Sequence, residues 1–217
     1  MNELITRTLT GVVFVSIVVF ATTFDLISAS ILWAAVLVLG LKEYNHLKGP
    51  PLGYFLITIA VVSLWGMGRP IESWMDFNSD YRGWEVVAFL TWIWANDTFA
   101  YIGGRVFGKK FIKRGLAPKS SPNKSWEGAF VGAVGAAFVG WLWMGNDGAW
   151  LGNDGAWLGV LTGILSTLGD LVQSALKRHA DVKDSGSLLP GHGGILDRFD
   201  GLLIAAPVLL IIRLFIL

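Results

Sequence analysis

The stretch LTGVVFVSIVVFATTFDLISASILWAAVLVLGL, residues 9–41, decides the fold of this chain. Asp25 is its only charged residue, and it separates two apolar runs. A helix that crosses the apolar core of a bilayer needs about 20 mainly apolar residues, within a working range of about 17–25. The two runs and a few flanking residues therefore predict two membrane-spanning helices, joined in a tight hairpin around Asp25.

The composition of the whole chain agrees with a membrane protein. Of its 217 residues, 53% are hydrophobic and 15% are charged, whereas soluble domains carry about 25% charged residues. The chain contains no Cys, which excludes disulfides, a thiolate nucleophile and Cys-ligated zinc. No A-x-A-like cleavage site follows the first apolar run, so we expect a retained span rather than a signal peptide.

The same length scale predicts an all-α, polytopic integral membrane protein with about seven transmembrane helices. We expect an N-terminal part, residues 1–83, with about three spans, and a catalytic part, residues 84–217, with the loops 105–125 and 177–200. The predicted spans are Leu9–Phe24, Leu26–Leu41, Leu52–Met67, Trp84–Gly104, Trp126–Met144, Trp157–Leu176 and Leu202–Leu217.

The distribution of Lys and Arg predicts the orientation. If the N-terminus is inside, the inside segments hold fourteen basic residues and the outside loops hold two, Arg69 and Arg82. Arg213 lies within the last span. Because cytoplasmic loops carry the excess of basic residues, we expect a cytoplasmic N-terminus and an external C-terminus.

One outside connection contains a tandem repeat, GNDGAWL, at residues 145–151 and again at 152–158. Solenoids need three or more repeats, and Asn-Asp-Gly favours turns. We interpret this segment as a duplicated loop rather than a binding site.

The loop 105–125 has seven basic residues and no acidic one. It could simply determine topology and touch anionic lipid headgroups, or it could bind a polyanion such as a nucleotide triphosphate. Two Pro residues stiffen the backbone around Lys119 and Lys124, and Ser121 and Ser125 add hydroxyl donors. Ser125 also precedes the next predicted helix, whose N-terminus favours an anion.

Two acidic residues lie inside predicted spans. Asp97 and Asp170 interrupt otherwise apolar runs, and a carboxylate at the centre of a span costs about 2.5–3.5 kcal/mol on insertion scales. Such residues usually face a cavity, a partner or an ion, so we expect function at both positions. The loop 177–200 is mixed in charge, which by itself is typical of many surface loops.

These carboxylates suit a hard cation such as Mg²⁺, which one or two carboxylates hold together with substrate phosphates. Asp197 and Asp200 are three residues apart, so a helix would place them on one face. His192, among glycines in PGHGG, could touch a phosphate, help the metal shell or hold the loop. A zinc site is not expected, because the three His residues show no H-E-x-x-H or comparable spacing.

The segment SALKRHADVKDSGSLLPGHGGILDRFD, residues 174–200, resembles the signature of the CDP-diacylglycerol synthases (phosphatidate cytidylyltransferases). That signature is a Ser, then Lys-Arg, a Lys-Asp four residues on, and His-Gly-Gly-x-x-Asp-Arg-x-Asp. The upstream segments NDTFAYIGGRVFGK and LAPKSSPNKSWEG also look like family segments in the expected order. The clear match runs from Trp94 to about Pro207.

The resemblance implies a magnesium-dependent enzyme of the inner membrane that works on the cytoplasmic side. It would make CDP-diacylglycerol and pyrophosphate from CTP and phosphatidate, with a K⁺ ion as a second cation. A homodimer is expected, and a nucleic acid partner is not.

The resemblance also implies a role for each matched residue. The implied metal ligands are Asp170, Asp197 and Asp200. The implied signature residues for phosphates and loop architecture are Lys177, Arg178, Lys183, Asp184, His192 and Arg198. The implied substrate-binding residues are Asp97, Lys119, Ser121, Lys124 and Ser125.

The chain departs from typical bacterial members by being shorter, by about two spans before Trp84. Two alternative functions remain at this point. One is a related CTP-dependent enzyme that acts on an ether-lipid analogue of phosphatidate, and the other is an ion-coupled transporter whose membrane carboxylates carry ions.

Overall fold

The computed structural model describes residues 3–69, 81–143 and 154–215. All seven predicted apolar runs are helices in these ranges, so the prediction of an all-α protein is confirmed. The helices are α1 (Glu3–Phe24), α2 (Leu26–Leu47), α3 (Pro51–Met67), α4 (Gly83–Phe107), α5 (Trp126–Leu142), α6 (Gly155–His179) and α7 (Leu202–Phe215). A short 3₁₀ helix, Leu196–Arg198, lies in the loop between α6 and α7.

Three of the described helices are long and apolar enough to cross a membrane, judged by length and composition. These spans are Ile5–Phe24, Leu26–Leu47 and Gly155–His179. Helices α3, α5 and α7 are apolar but shorter. The tandem repeat lies mostly outside the described residues, and Gly155 to Leu158 of its second copy begin α6.

The chain divides into two compact units. The first comprises residues 1–87 and 176–200, and the second comprises residues 88–175 and 201–217. The loop after α6 therefore groups with the N-terminal helices, while most of α4, α5 and α6 form the other unit with α7.

In the first unit, α1 and α2 form the predicted tight hairpin. The Asp25 carboxylate accepts a hydrogen bond from the Ser28 N–H at 2.6 Å, and the Ser28 hydroxyl accepts one from the Asp25 N–H at 3.2 Å. This reciprocal capping box satisfies two of the backbone donors that a helix N-terminus leaves unpaired. Asp25 is thus a helix cap, which explains a charge between two apolar runs.

The 3₁₀ segment of the first unit packs on α1 and α2 through aromatic and aliphatic side chains. The Phe199 ring lies 5.7 Å from the Phe14 ring and 5.8 Å from the Trp33 ring, centroid to centroid. Leu196 contacts α2 at Gly40, where an added Cβ would lie 3.1 Å from its side chain. These contacts fix the end of the signature segment against the N-terminal helices.

In the second unit, glycines let α5 approach both α4 and α6. A Cβ added at Gly132 would lie 2.7 Å from Asn96 Oδ1, and one at Gly128 would lie 2.9 Å from the Ala100 carbonyl oxygen. On the other side, a Cβ at Gly159 of α6 would lie 2.4 Å from the Ala136 carbonyl oxygen. Small residues at helix interfaces allow this close packing, which brings the polar side chains of α4 and α6 to the start of α5.

Candidate active site

The second unit contains an open cavity of about 480 Å³ between α4, α5, α6 and the basic loop, and several charged and polar side chains line it. Asp97 on α4 and Asp170 on α6 both line it, so the two acidic residues predicted from the spans share one cavity. The remaining lining includes Asn96, Tyr101, Arg105, Leu116, Ser121, Asn123, Lys124, Ser125 and Thr167. Four of the five predicted substrate-binding residues line it, whereas Lys119 is exposed and does not.

Lys124 and Asp170 form an ion pair at this cavity. The Lys124 ammonium donates to Asp170 Oδ2, and Ser174 donates to Asp170 Oδ1 at 3.2 Å. The two charged side chains remain 29% and 27% exposed, so both are reachable from the cavity. The pair joins the end of the basic loop to α6 and sets a cation and an anion side by side.

A side-chain cap fixes the start of α5 beside the cavity. Ser125 is the N-cap residue, and its hydroxyl accepts the Gly128 N–H at 3.1 Å. The prediction that a helix begins after Ser125 is therefore confirmed. Ser125 is 4% exposed, so its hydroxyl has a defined structural use within the cavity wall.

Glu127 organises the turn that opens the basic loop. Its carboxylate accepts three backbone hydrogen bonds, from Lys109 at 3.1 Å, Phe111 at 3.0 Å and Ile112 at 2.8 Å. Glu127 is 9% exposed. The first acid after the basic loop thus accepts hydrogen bonds from the loop's backbone.

In the first unit, Asp197 is the centre of the signature loop. Its Oδ1 accepts from the Lys177 ammonium at 2.7 Å, and its Oδ2 accepts from the Ser185 N–H at 2.8 Å and the Gly194 N–H at 2.9 Å. The side chains of Lys177 and Asp197 are 12% and 5% exposed. Burial raises the pKa of Asp197, but the Lys177 ammonium and the two backbone N–H groups outweigh it and hold that pKa below its usual value.

Glu43 on α2 is a second buried carboxylate that contacts the same loop. It accepts the Ser185 hydroxyl at 2.9 Å and the backbone N–H groups of Ile195 at 2.8 Å and Leu196 at 3.0 Å. Glu43 is 8% exposed. Two buried acids, Glu43 and Asp197, therefore hold the backbone of residues 185–196 from two sides.

The glycines of the signature loop make room for these acids. Gly193 has a φ of 81°, and a Cβ there would lie 2.7 Å from Asp197 Oδ2. A Cβ at Gly194 would lie 2.3 Å from Glu43 Oε2. Gly191, with a φ of 75°, is the third residue of a turn closed by the His192 N–H and the Leu189 carbonyl at 2.8 Å, a position where type II turns need a positive φ.

The other predicted signature residues lie around this loop. His192 lies against α1 at Gly11, and its Nδ1 is buried without a hydrogen-bond partner in the described part of the chain. Arg178 donates to the Val182 carbonyl at 2.9 Å. Lys183, Asp184, Arg198 and Arg178 have exposed side chains. The helix that would align Asp197 with Asp200 ends at Arg198, so Asp200 lies beyond it.

The oxygen donors of the cavity suit a magnesium ion. Asp97, Asp170, Ser121, Asn123 and Thr167 offer carboxylate, hydroxyl and amide oxygens, which are the ligands that Mg²⁺ prefers. No group of three His, Asp or Glu side chains positioned to hold a metal occurs within residues 3–69, 81–143 and 154–215. Mg²⁺ held partly by substrate phosphates needs only one or two protein carboxylates.

A family model described as "Cytidylyltransferase family" matches residues 51–216. The match covers most of the chain and includes the cavity, the basic loop and the signature loop. The chain belongs to the cytidylyltransferase family. Glu43 lies before the matched segment, so this contact to the signature loop comes from the part of the chain that the family model does not cover.

Several relatives of this cytidylyltransferase family member bear the name phosphatidate cytidylyltransferase. The one from Rickettsia felis is 34% identical over 218 residues, covering 96% of this chain and 91% of the relative. The one from Rickettsia prowazekii is 33% identical over 222 residues, covering 97% and 92%. The one from Brucella abortus is 43% identical over 128 residues, covering 58% of this chain and 46% of the relative. The chain thus has relatives that it matches almost end to end, besides relatives that it matches over less than half their length.

Sequence reasoning missed the two organising glutamates of this family member. Glu43 and Glu127 accept hydrogen bonds from segments 142–153 and 15–18 residues away, respectively. Glu43 lies two residues beyond the predicted span Leu26–Leu41, next to Lys42 in the polar last turns of α2, so it lacked the signal that drew attention to Asp97 and Asp170. Glu127 sits in the first turn of α5, where an acid is ordinarily explained by the helix dipole.

Proposed function

We propose that this chain is a phosphatidate cytidylyltransferase, which transfers a cytidylyl group from CTP to phosphatidate in phospholipid biosynthesis. The products are CDP-diacylglycerol and pyrophosphate. Family membership and the relatives' shared name support this function. The single structural observation that carries it is the cavity in which Asp97, Asp170 and Lys124 meet beside the basic loop.

In this proposal the cavity of the second unit receives the nucleotide. Lys124 and Arg105 supply positive charge for the triphosphate, and Ser121 and Thr167 supply hydroxyl donors. Phosphoryl-type transfer depends mainly on positioning and on neutralising charge. The phosphate of phosphatidate is itself anionic near neutral pH, so it attacks the α-phosphorus of CTP without a strong general base, and pyrophosphate leaves.

Asp97 and Asp170 are the cavity residues that would hold magnesium. Bound Mg²⁺ would supply charge stabilisation to the phosphate oxygens during the transfer. Asp170 is already paired with Lys124, and we propose that a metal–triphosphate complex competes for this carboxylate. Ligation by Asp197 and Asp200, and a K⁺ ion as second cation, stay predictions of the sequence resemblance.

The signature loop of the first unit is proposed to contribute basic groups for phosphates. Lys177 forms an ion pair with Asp197, so its proposed role is to fix the loop as well as to provide positive charge. Arg198 and Lys183 have exposed side chains, which suits groups that bind a phosphate from solvent or from a lipid. These roles rest on the resemblance.

We propose that the chain spans the inner membrane, with its N-terminus and its active site on the cytoplasmic side. Large apolar side chains of α1 and α2 are exposed, among them Phe24 at 67%, Ile27 at 70% and Ile31 at 66%. Apolar patches of this extent on a protein surface indicate contact with lipid or a partner. The split of basic residues between loops supports the orientation, and the homodimer stays a prediction that light scattering in detergent tests.

The deciding experiment is an assay of the purified protein with radiolabelled CTP and phosphatidate, with and without Mg²⁺. We expect a CDP-lipid to form only when both substrates and the metal are present. A parallel reaction with an ether-linked phosphatidate analogue tests the alternative that the enzyme acts on an ether lipid. If folded protein forms no CDP-lipid but carries ions across proteoliposomes without consuming CTP, the enzyme proposal is wrong.

A further inference from the structure

A second, apolar groove of about 550 Å³ lies on the second unit, between the end of α4, the opening turn of the basic loop and the start of α5. Phe107, Phe111, Ile112, Trp126 and Phe130 line it. Four of these are strongly exposed: Phe111 at 78%, Phe130 at 71%, Trp126 at 48% and Ile112 at 47%. The nucleotide proposal makes no use of this groove.

Basic residues surround the apolar residues of this turn. Lys109, Lys110, Lys113 and Arg114 all occur within four residues of Phe111, with no acid among residues 105–125. The Lys110 ammonium lies 5.9 Å from the centre of the Phe107 ring. Apolar tips flanked by cations are complementary to an anionic phospholipid, whose acyl chains are apolar and whose phosphate is negative.

Glu127 satisfies backbone donors of this turn, as a position in contact with the bilayer requires. The turn is not helical, and irregular backbone at membrane depth requires internal partners for its polar groups. The Glu127 carboxylate accepts the N–H groups of Lys109, Phe111 and Ile112. The turn therefore exposes two large apolar side chains while three of its backbone donors are paired inside the protein.

We propose that the turn Gly108–Arg114 and the adjoining groove form a binding site for an anionic glycerophospholipid of the bilayer. Phe111 and Ile112 enter the acyl region, and Lys110, Lys113 and Arg114 bind the lipid phosphate. This inference rests on the proposed membrane placement, and it does not depend on the reaction catalysed. It assigns the basic loop a lipid contact at one end, in addition to its cavity contacts through Ser121 and Lys124.

The absence of cysteine in the chain permits a direct test with single reporters. Phe111→Cys is labelled with bimane, and the protein is reconstituted into bilayers of phosphatidylcholine and phosphatidylglycerol. In separate samples, either the neutral or the anionic lipid carries bromine as the quencher. We expect brominated phosphatidylglycerol to quench the label at least about twofold more strongly than brominated phosphatidylcholine.

Two matched variants make the outcome decisive. Adding K110Q, K113Q and R114Q to Phe111→Cys should equalise quenching by the two lipids, whereas Val134→Cys on the exposed face of α5 should be quenched equally from the start. Equal quenching of the Phe111→Cys label by both lipids, or its quenching by aqueous iodide alone, overturns the proposal. If neither brominated lipid quenches the Val134→Cys label, the membrane placement is wrong as well. CTP turnover is measured separately and reports on the proposed reaction.

Discussion

The Lys177 ammonium donates to Asp197 Oδ1 at 2.7 Å, and both side chains are nearly buried. Breaking a buried pair by removing one partner usually costs about 3–5 kcal/mol, because a buried charge is left uncompensated. Lys177→Met should therefore lower the melting temperature, measured by size-exclusion chromatography after heating. Lys183→Met, which changes an exposed lysine of the same loop, should leave the melting temperature unchanged.

The same ion pair predicts that the stability of the protein depends on pH. The pKa of Asp197 in the folded protein lies below its usual value of 3.8. The stability from this carboxylate is complete above that usual pKa and is lost as the pH falls through the lower folded-state pKa. Lys177→Met removes the cation, so the folded-state pKa should rise towards or above its usual value. The acid-induced loss of stability from Asp197 should then be smaller in the variant, and the difference in melting temperature between the two proteins should narrow as the pH falls. Identical melting temperatures of variant and wild type from pH 7 to pH 3 would contradict the pairing.

Replacing Asp170 should lower the rate of CDP-lipid formation and leave the protein folded. Its carboxylate is 27% exposed at the cavity, so Asp170→Asn keeps the shape and removes one negative charge. Loss of one group that stabilises transition-state charge typically lowers kcat by about 100–1,000-fold, and we expect a decrease of this size in CDP-lipid formation. Asp181→Asn is the matched control, because Asp181 is exposed and adopts φ 54°, a conformation that Asn tolerates. Near-normal activity of Asp170→Asn would refute its assignment as a metal ligand.

The helices of this chain could be predicted because apolar runs of span length are a local signal. The hairpin at Asp25 could also be predicted, since a single polar residue between two such runs leaves few alternatives. The cost of burying each acid in an apolar span predicted function at Asp97 and at Asp170 separately, but not that the two share one cavity. In each case the information lies within a few residues of the position.

The hydrogen bonds of Glu43 could not be predicted in the same way. Glu43 reaches Ile195 and Leu196 across 152 and 153 residues, and no local pattern specifies which distant backbone groups an acid will accept. Asp197 likewise looked like a free metal ligand, whereas its two oxygens accept three protein donors. The sequence pattern singled out Asp197 as an important acid, but only the packing of the loop on α2 shows which groups donate hydrogen bonds to it and to Glu43.

Glu43 gives the fourth prediction, which concerns positioning. Glu43→Ala leaves two backbone N–H groups and the Ser185 hydroxyl without their acceptor, which should cost on the order of 3 kcal/mol of unfolding free energy. We expect a lower melting temperature and a lower kcat with little change in the KM for CTP, since the cavity of the second unit is untouched. Lys42→Gln alters the exposed neighbour and serves as control. Restoration of kcat by Glu43→Gln, which keeps one acceptor oxygen, would separate hydrogen bonding from charge, and an unchanged kcat in Glu43→Ala would contradict the role.

The two glycines with positive φ in the signature loop give the last prediction. Gly191 and Gly193 have φ values of 75° and 81°, so Ala at either position incurs the left-handed penalty of about 1–2 kcal/mol. Beyond that shared cost, the two sites differ in what an added Cβ would meet. At Gly191 it would lie 2.5 Å from Arg7 Cγ, part of a flexible side chain, whereas at Gly193 it would lie 2.7 Å from Asp197 Oδ2, which is held by two backbone donors. Gly193→Ala should therefore lower the melting temperature and the kcat more than Gly191→Ala does, by an additional overpacking cost of about 1–3 kcal/mol. Equal losses in the two variants would mean that the close approach of Asp197 to residue 193 adds nothing to the stability of the loop.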